Sequence, residues 1–104
     1  MTQPTTSIYA RVFGPDNMHF SHHHGDNKSY ITITENWMND RLRANGHVFL
    51  NEIYDAFGLS RTKAGAICGW LKESGSEIKF TVTPTDDGLL LDFNVDGVIY
   101  DKLP

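Results

Sequence analysis

The chain has 104 residues, 39% of them hydrophobic and 21% charged, the composition of one ordinary globular domain rather than a fibrous or disordered segment. Thirteen acidic against nine basic side chains leave a net charge of −4, whose long-range field opposes nucleic acid except at a local basic patch. The single cysteine, Cys68, excludes an internal disulfide framework and suits a reducing compartment. No apolar run approaches the roughly 18 residues that cross a bilayer. Met1 to Thr6 lack the basic start and apolar stretch of a secretory signal, so the expected location is the cytoplasm.

In chain order, Met1 to Thr6 read as a loose polar tail. Ile8 to Phe13 alternate as a strand, Gly14-Pro15-Asp16-Asn17 is turn chemistry, and Ser21 to Lys28 read as an exposed loop. The β-branched and aromatic run Ser29 to Ile33 predicts a second strand. A first helix is expected from Thr34, its cap, to the left-handed stop at Asn45-Gly46, with Trp37, Met38 and Leu42 on one side. His47-Val48-Phe49 is short and extended. Leu50, Ile53, Tyr54 and Phe57 at helical spacing give a second helix ended by Gly58, and Ser60 caps a third with Ala64, Ile67, Cys68 and Leu71 on its apolar side.

Beyond Gly75 the period becomes two. Ile78, Phe80 and Val82 form one strand, a turn spans Pro84 to Gly88, and Leu89, Leu91, Phe93 and Val95 form the next. Asp96-Gly97 predicts a tight hairpin to Val98-Ile99-Tyr100. The expected fold is α+β: three short helices (34–73) packed on antiparallel strands from both chain ends (7–33 and 77–102), in a winged-helix-like order. Its expected core includes Ile33, Trp37, Leu42, Phe49, Leu50, Ile53, Phe57, Ile67, Leu71, Phe80, Leu91 and Phe93.

Several short motifs recur together elsewhere. Gly46-His47-Val48-Phe49-Leu50-Asn51-Glu52-Ile53-Tyr54-Asp55, Arg61-Thr62-Lys63-Ala64-Gly65, Gly69-Trp70 and Leu90-Leu91-Asp92-Phe93-Asn94-Val95-Asp96-Gly97 resemble a domain of unknown function found in small phage and prophage proteins of Gram-positive bacteria. The resemblance covers about Trp37 to Leu103 and leaves Met1 to Ile33 outside. It implies an origin in a mobile element, with residence in the host cytoplasm or in the virion, and carries no activity or catalytic residue.

Four features are weighed as sites. His19, His22, His23 and His24, with Asp26 nearby, have imidazoles suited to zinc or nickel, but neighbours in an extended loop point apart, and a solvated loop explains them as well. Asp92, Asn94, Asp96 and Gly97 match the opening of a calcium loop. Its closing ligand position falls on Leu103, which cannot ligate, and a polar strand face with a hairpin turn accounts for the same residues. No metal and no other cofactor is therefore expected.

The helical block itself suggests DNA. If the third helix were a recognition helix, Arg61, Lys63 and Lys72 would flank it and touch phosphates, while its outward face, Thr62, Ala66, Gly69 and Glu73, offers no basic or amide group to read bases. Nucleic-acid binding is thus the alternative reading. The preferred one is a non-enzymatic protein-interaction or assembly module. Gly65 and Gly69 each cost up to about 1 kcal/mol in a helix interior, which points to close approach of another backbone, either a strand of the same domain or another chain. In the second case Thr62, Ala66, Gly69 and Trp70 form the contact. Catalysis has no support: Cys68 falls on an apolar stripe, His47 has no nucleophile beside it, and no small-molecule substrate is indicated.

Overall fold

A computed structural model of the chain describes residues 7–103, and its longest element, α1 (His24–Asn45), runs through segments whose local sequence favours loop and strand. The tail expected at Met1 to Thr6 lies outside the described residues. Ser21 to Lys28 is therefore only in part a loop, and Ser29 to Ile33 is helix, not strand. Tertiary packing overrides the β-branched preference here: Asn27, Ile31, Thr34, Met38 and Leu42 fall on one side of α1, and all five are buried.

The entry to α1 is tied locally. Asn27 accepts from the Ser21 backbone N–H at 2.8 Å and donates to the Ser21 carbonyl at 2.7 Å, while Asp26 places a carboxylate in the first turn. Thr34 is not a cap but a mid-helix residue whose hydroxyl donates to the Tyr30 carbonyl one turn back. The expected stop holds: Gly46 is left-handed at φ 87° and its N–H closes onto Leu42.

Two three-stranded antiparallel sheets pack with the helices. In the first, β1 (Arg11–Phe13) and β4 (Phe80–Thr85) flank the central β5 (Gly88–Phe93). In the second, β2 (His47–Phe49) and β6 (Gly97–Val98) flank β3 (Cys68–Leu71). The second predicted helix is α2 (Leu50–Ala56), where the Glu52 carboxylate accepts the Phe49 N–H at 2.7 Å as half of a capping box.

The third predicted helix does not form. Its residues give a 3-10 turn, Ala64–Ala66, then β3, then a second 3-10 turn, Lys72–Ser74, so the described residues hold two α-helices and lack the recognition helix that a winged-helix order requires. All four residues of β3 are buried, and a fully buried apolar run carries no period to separate helix from strand. Gly69 decides the matter. A Cβ there would collide with the Val48 carbonyl oxygen and lie 2.9 Å from Phe49 Cα, so β2 and β3 pair only around a glycine. The close backbone approach expected at this glycine is made by a strand of the same domain.

Asp96-Gly97 is likewise not a hairpin turn. It carries the chain from β5 in one sheet to β6 in the other, where Gly97 pairs with Gly69. The strand ending at Thr85 is longer than expected, with Pro84 accommodated on a sheet edge where no ladder N–H is missed. Gly88, at φ 135°, follows the two-residue turn, and its Cα face lies against the backbone of Phe13 and Gly14.

A chain of aromatic rings links the layers. Phe13 meets Phe20 and Phe57 edge-on at 5.5 Å each, Phe57 meets Phe80, and Phe80 meets Phe93 at 5.4 Å. Leu42, Leu50, Ile53, Phe57, Leu71, Leu91 and Phe93 are buried as expected; Phe13, Met38, Val48, Tyr54, Trp70, Ile78 and Ile99 join them. Ile33, Trp37 and Ile67, assigned to the core from sequence, are exposed.

Candidate functional site

The misplaced core residues define the most distinctive surface. Once α1 is extended back to His24, its buried line runs through Ile31, Thr34, Met38 and Leu42. At 100° per residue Trp37 and Ile33 then lie roughly 60° and 100° round from Thr34. Ile33 is 65% and Trp37 55% exposed, one turn apart on the solvent side of the helix. The Arg41 guanidinium lies 5.9 Å from the Trp37 ring centroid and donates to Glu52 of α2 at 2.5 Å. Trp37, Met38 and Arg41 thus form one wall of an open groove whose other wall is Glu52, Asp55 and Ala56. Such a surface offers a large apolar body beside a held cation, the combination enriched at the centres of protein interfaces.

The partner residues expected from sequence are differently placed. Trp70 is fully buried in β3, its indole N–H donating to the Asn94 carbonyl and side-chain oxygens at 3.1 Å, and Gly69 is buried beside it. Thr62 and Ala66 are exposed, but they sit on a loop and a 3-10 turn and share no helical face with the other two. Of the expected phosphate contacts, Arg61 forms a forked pair with Asp55, Nε to Oδ1 at 2.9 Å. Lys63 stands exposed before the 3-10 turn, and Lys72 donates to the Arg43 carbonyl at 3.2 Å beyond β3. No element aligns these three cations.

His19, His22 and His23 do not converge either. His19 stacks on Tyr30, His22 meets the edge of Phe20, and His23 precedes α1, which begins at His24. Among the described residues no three His, Cys, Asp or Glu side chains are grouped to hold a metal.

The calcium-like set is spent on internal bonds. Asn94 accepts from Trp70 and the Lys79 N–H and donates to the Glu77 carbonyl. Asp96 accepts from the Leu71 N–H at 3.0 Å and the Ser74 hydroxyl at 2.7 Å. Asp92 accepts from the Ser7 N–H and hydroxyl and from its neighbour Phe93.

Burial pushes the Asp92 carboxyl up, but the Ser7 and Phe93 hydrogen bonds outweigh it and hold the group below the ordinary carboxylate value. A depressed folded value means stability that is complete above the unfolded pKa of about 3.9 and is lost as pH falls through the folded one. Acid titration followed by circular dichroism should therefore show the parent losing stability relative to Asp92→Asn below about pH 4. An unchanged difference between the two down to pH 2 would contradict the Ser7 tie.

Cys68 is buried and receives a 3.7 Å hydrogen bond from the Tyr9 hydroxyl, as a small core residue rather than a nucleophile at a cleft. His47 lines an open cleft with Lys72, Glu73 and Lys102, and another cleft holds Asp16, Asp86 and Asp87. Neither contains a cysteine, and in neither does a hydroxyl stand beside an imidazole. Among the described residues no helix is long and apolar enough to cross a membrane.

Comparison with protein families returns one match, a family of unknown function (DUF6353), over residues 1–103. The match includes Met1 to Ile33, which the motif resemblance left out, and the pairing of β1 with β5 ties the described part of that segment into the fold. No curated protein and no solved structure matches.

Proposed function

Since the chain belongs to this family of unknown function, which supplies no activity to transfer, we propose that it is a non-enzymatic protein-interaction module and that the outer face of α1 is its contact surface. The observation that carries this reading is the exposed Ile33–Trp37 pair beside Arg41. Trp37 is 55% exposed, so a partner covering it would recover on the order of 1 kcal/mol of burial.

The longest sheet edge, that of β4, is blunted against recruiting a strand. Thr85 and Gly88 close the hairpin, so by alternation Phe80, Val82 and Pro84 turn their ladder groups outward. The Phe80 N–H is capped by the Glu35 carboxylate at 2.7 Å and Pro84 has none, leaving Val82 as the one outward donor between them. A strand added there would find one N–H where three would stand on an open edge, which favours α1.

We place the origin in a phage or related mobile element, acting in the host cytoplasm or within the virion, on the strength of the motif resemblance over Trp37 to Leu103. Nucleic acid ranks below protein because Arg61 is paired and the basic residues share no face.

A photo-crosslinking residue placed at Trp37, with one at Lys79 as a control, tests the surface in cells that make the protein. Discrete protein adducts from position 37 and none from position 79 are expected. No adducts from 37, or the same adducts from both, would overturn the reading.

A further inference from the structure

Resting on that reading, we infer that the occupant of the α1 face is a second copy of this chain, packed antiparallel about a two-fold axis between Ile33 and Trp37. Along one side of α1, Asp26, Ile33, Trp37, Asp40 and Ala44 are exposed at intervals of seven, four, three and four residues, which keep one seam toward a neighbouring helix, while Tyr30 on the same line turns in to stack on Phe13 and donate to the Ala56 carbonyl. The seam is apolar at its middle, where Ile33 and Trp37 stand, and charged toward its ends. A two-fold axis at its centre sets Ile33 of each copy against Trp37 of the other, a self-complementary contact of the kind closed dimers use.

Charge selects the direction. α1 carries Asp26 in its first turn and Arg43 in its last. Antiparallel packing about the Ile33–Trp37 centre brings Asp26 level with Ala44 of the second copy, within side-chain reach of that copy's Arg43 and, one turn away, its Arg41. The pairing occurs twice by symmetry, and the helix dipoles oppose favourably. Parallel packing would instead set Asp26 against Asp26 and Arg43 against Arg43. Arg43 already pairs with Asp40 on the exposed side, so it is held close to the seam it would serve. The α1 helix is about 33 Å long at 1.5 Å per residue, long enough to carry all five exposed seam positions of each chain.

Sedimentation velocity of the full chain from micromolar to several hundred micromolar tests this. A concentration-dependent shift from monomer to dimer is expected. Trp37→Ala should weaken the dimer by at least tenfold, with an unchanged melting curve in dilute protein where both chains are monomeric. Asp26→Arg and Arg43→Asp should each weaken it several-fold, and the two together should restore it, which antiparallel pairing alone allows. A chain that stays monomeric throughout, a dimer indifferent to Trp37→Ala, or a double variant no better than the singles would overturn the self-pairing. In the monomeric case, crosslinks from position 37 to a different protein would still support the interaction role, so the two failures are distinguishable.

Discussion

Trp70→Ala is expected to lower the unfolding free energy by about 3–5 kcal/mol, the range for deleting a large buried aromatic side chain. Trp70 is fully buried in the central strand of its sheet, and its indole N–H is satisfied by Asn94, the same residue that pins the Lys79 backbone. Removing the ring opens a cavity between the sheets and leaves the Asn94 oxygens short of a donor. A loss of that size in a domain with roughly 5–15 kcal/mol to lose should lower the melting temperature by more than about 10 °C or abolish the transition. Trp37→Ala should change stability by no more than about 0.5 kcal/mol, the usual range for an exposed position. Thermal melts of the two variants side by side check both, and similar losses would contradict the placement of one ring inside and the other outside.

Gly69→Ala is expected to cost about 1–3 kcal/mol or more from one methyl group. The added carbon meets backbone, the Val48 carbonyl and Phe49 Cα, so no rotamer change relieves it and β2 must separate from β3. Gly65→Ala is the informative contrast. There the nearest atoms belong to the Asn51 side chain, which can swing aside at the cost of its two bonds to Thr62. Denaturant titration should rank Gly69→Ala well below Gly65→Ala; equal midpoints would contradict strand pairing at Gly69.

Much of the second half of the fold was legible because its signals are local. Leu50, Ile53, Tyr54 and Phe57 keep a helical period, Asn45-Gly46 ends a helix, and the Phe80 and Leu91 strands alternate cleanly. The misreadings share one cause, a segment whose structure is set by what covers it. Ser29 to Ile33 has the side chains of a strand, yet Ile31 and Thr34 complete a buried helical line that begins at Asn27. Cys68 to Leu71 has the spacing of a helix stripe, yet every residue is covered on both sides, and only the glycine marks it as a strand.

The candidate surface was hidden by the first of these. With the helix begun at Thr34, Trp37, Met38 and Leu42 look like one apolar side. Only with the helix begun at His24 does Trp37 fall off the core line and Ile33 join it in solvent. The Asp92, Asn94, Asp96 alternation was legible as pattern but not as role. Its three side chains reach three different segments, near Ser7, Glu77 to Lys79, and Leu71 to Ser74, and no spacing rule announces that.

Iodide quenching of tryptophan emission bears most directly on the α1 face, because the chain's two indoles report opposite environments. In dilute protein two populations are expected, Trp37 open to iodide and Trp70 shielded, with Trp37 becoming shielded as concentration rises through the range where the chain dimerises. Emission shielded as a whole in dilute protein, or a Trp37 still fully quenched where the protein sediments as a dimer, would contradict the outer face of α1 as the surface that partners cover.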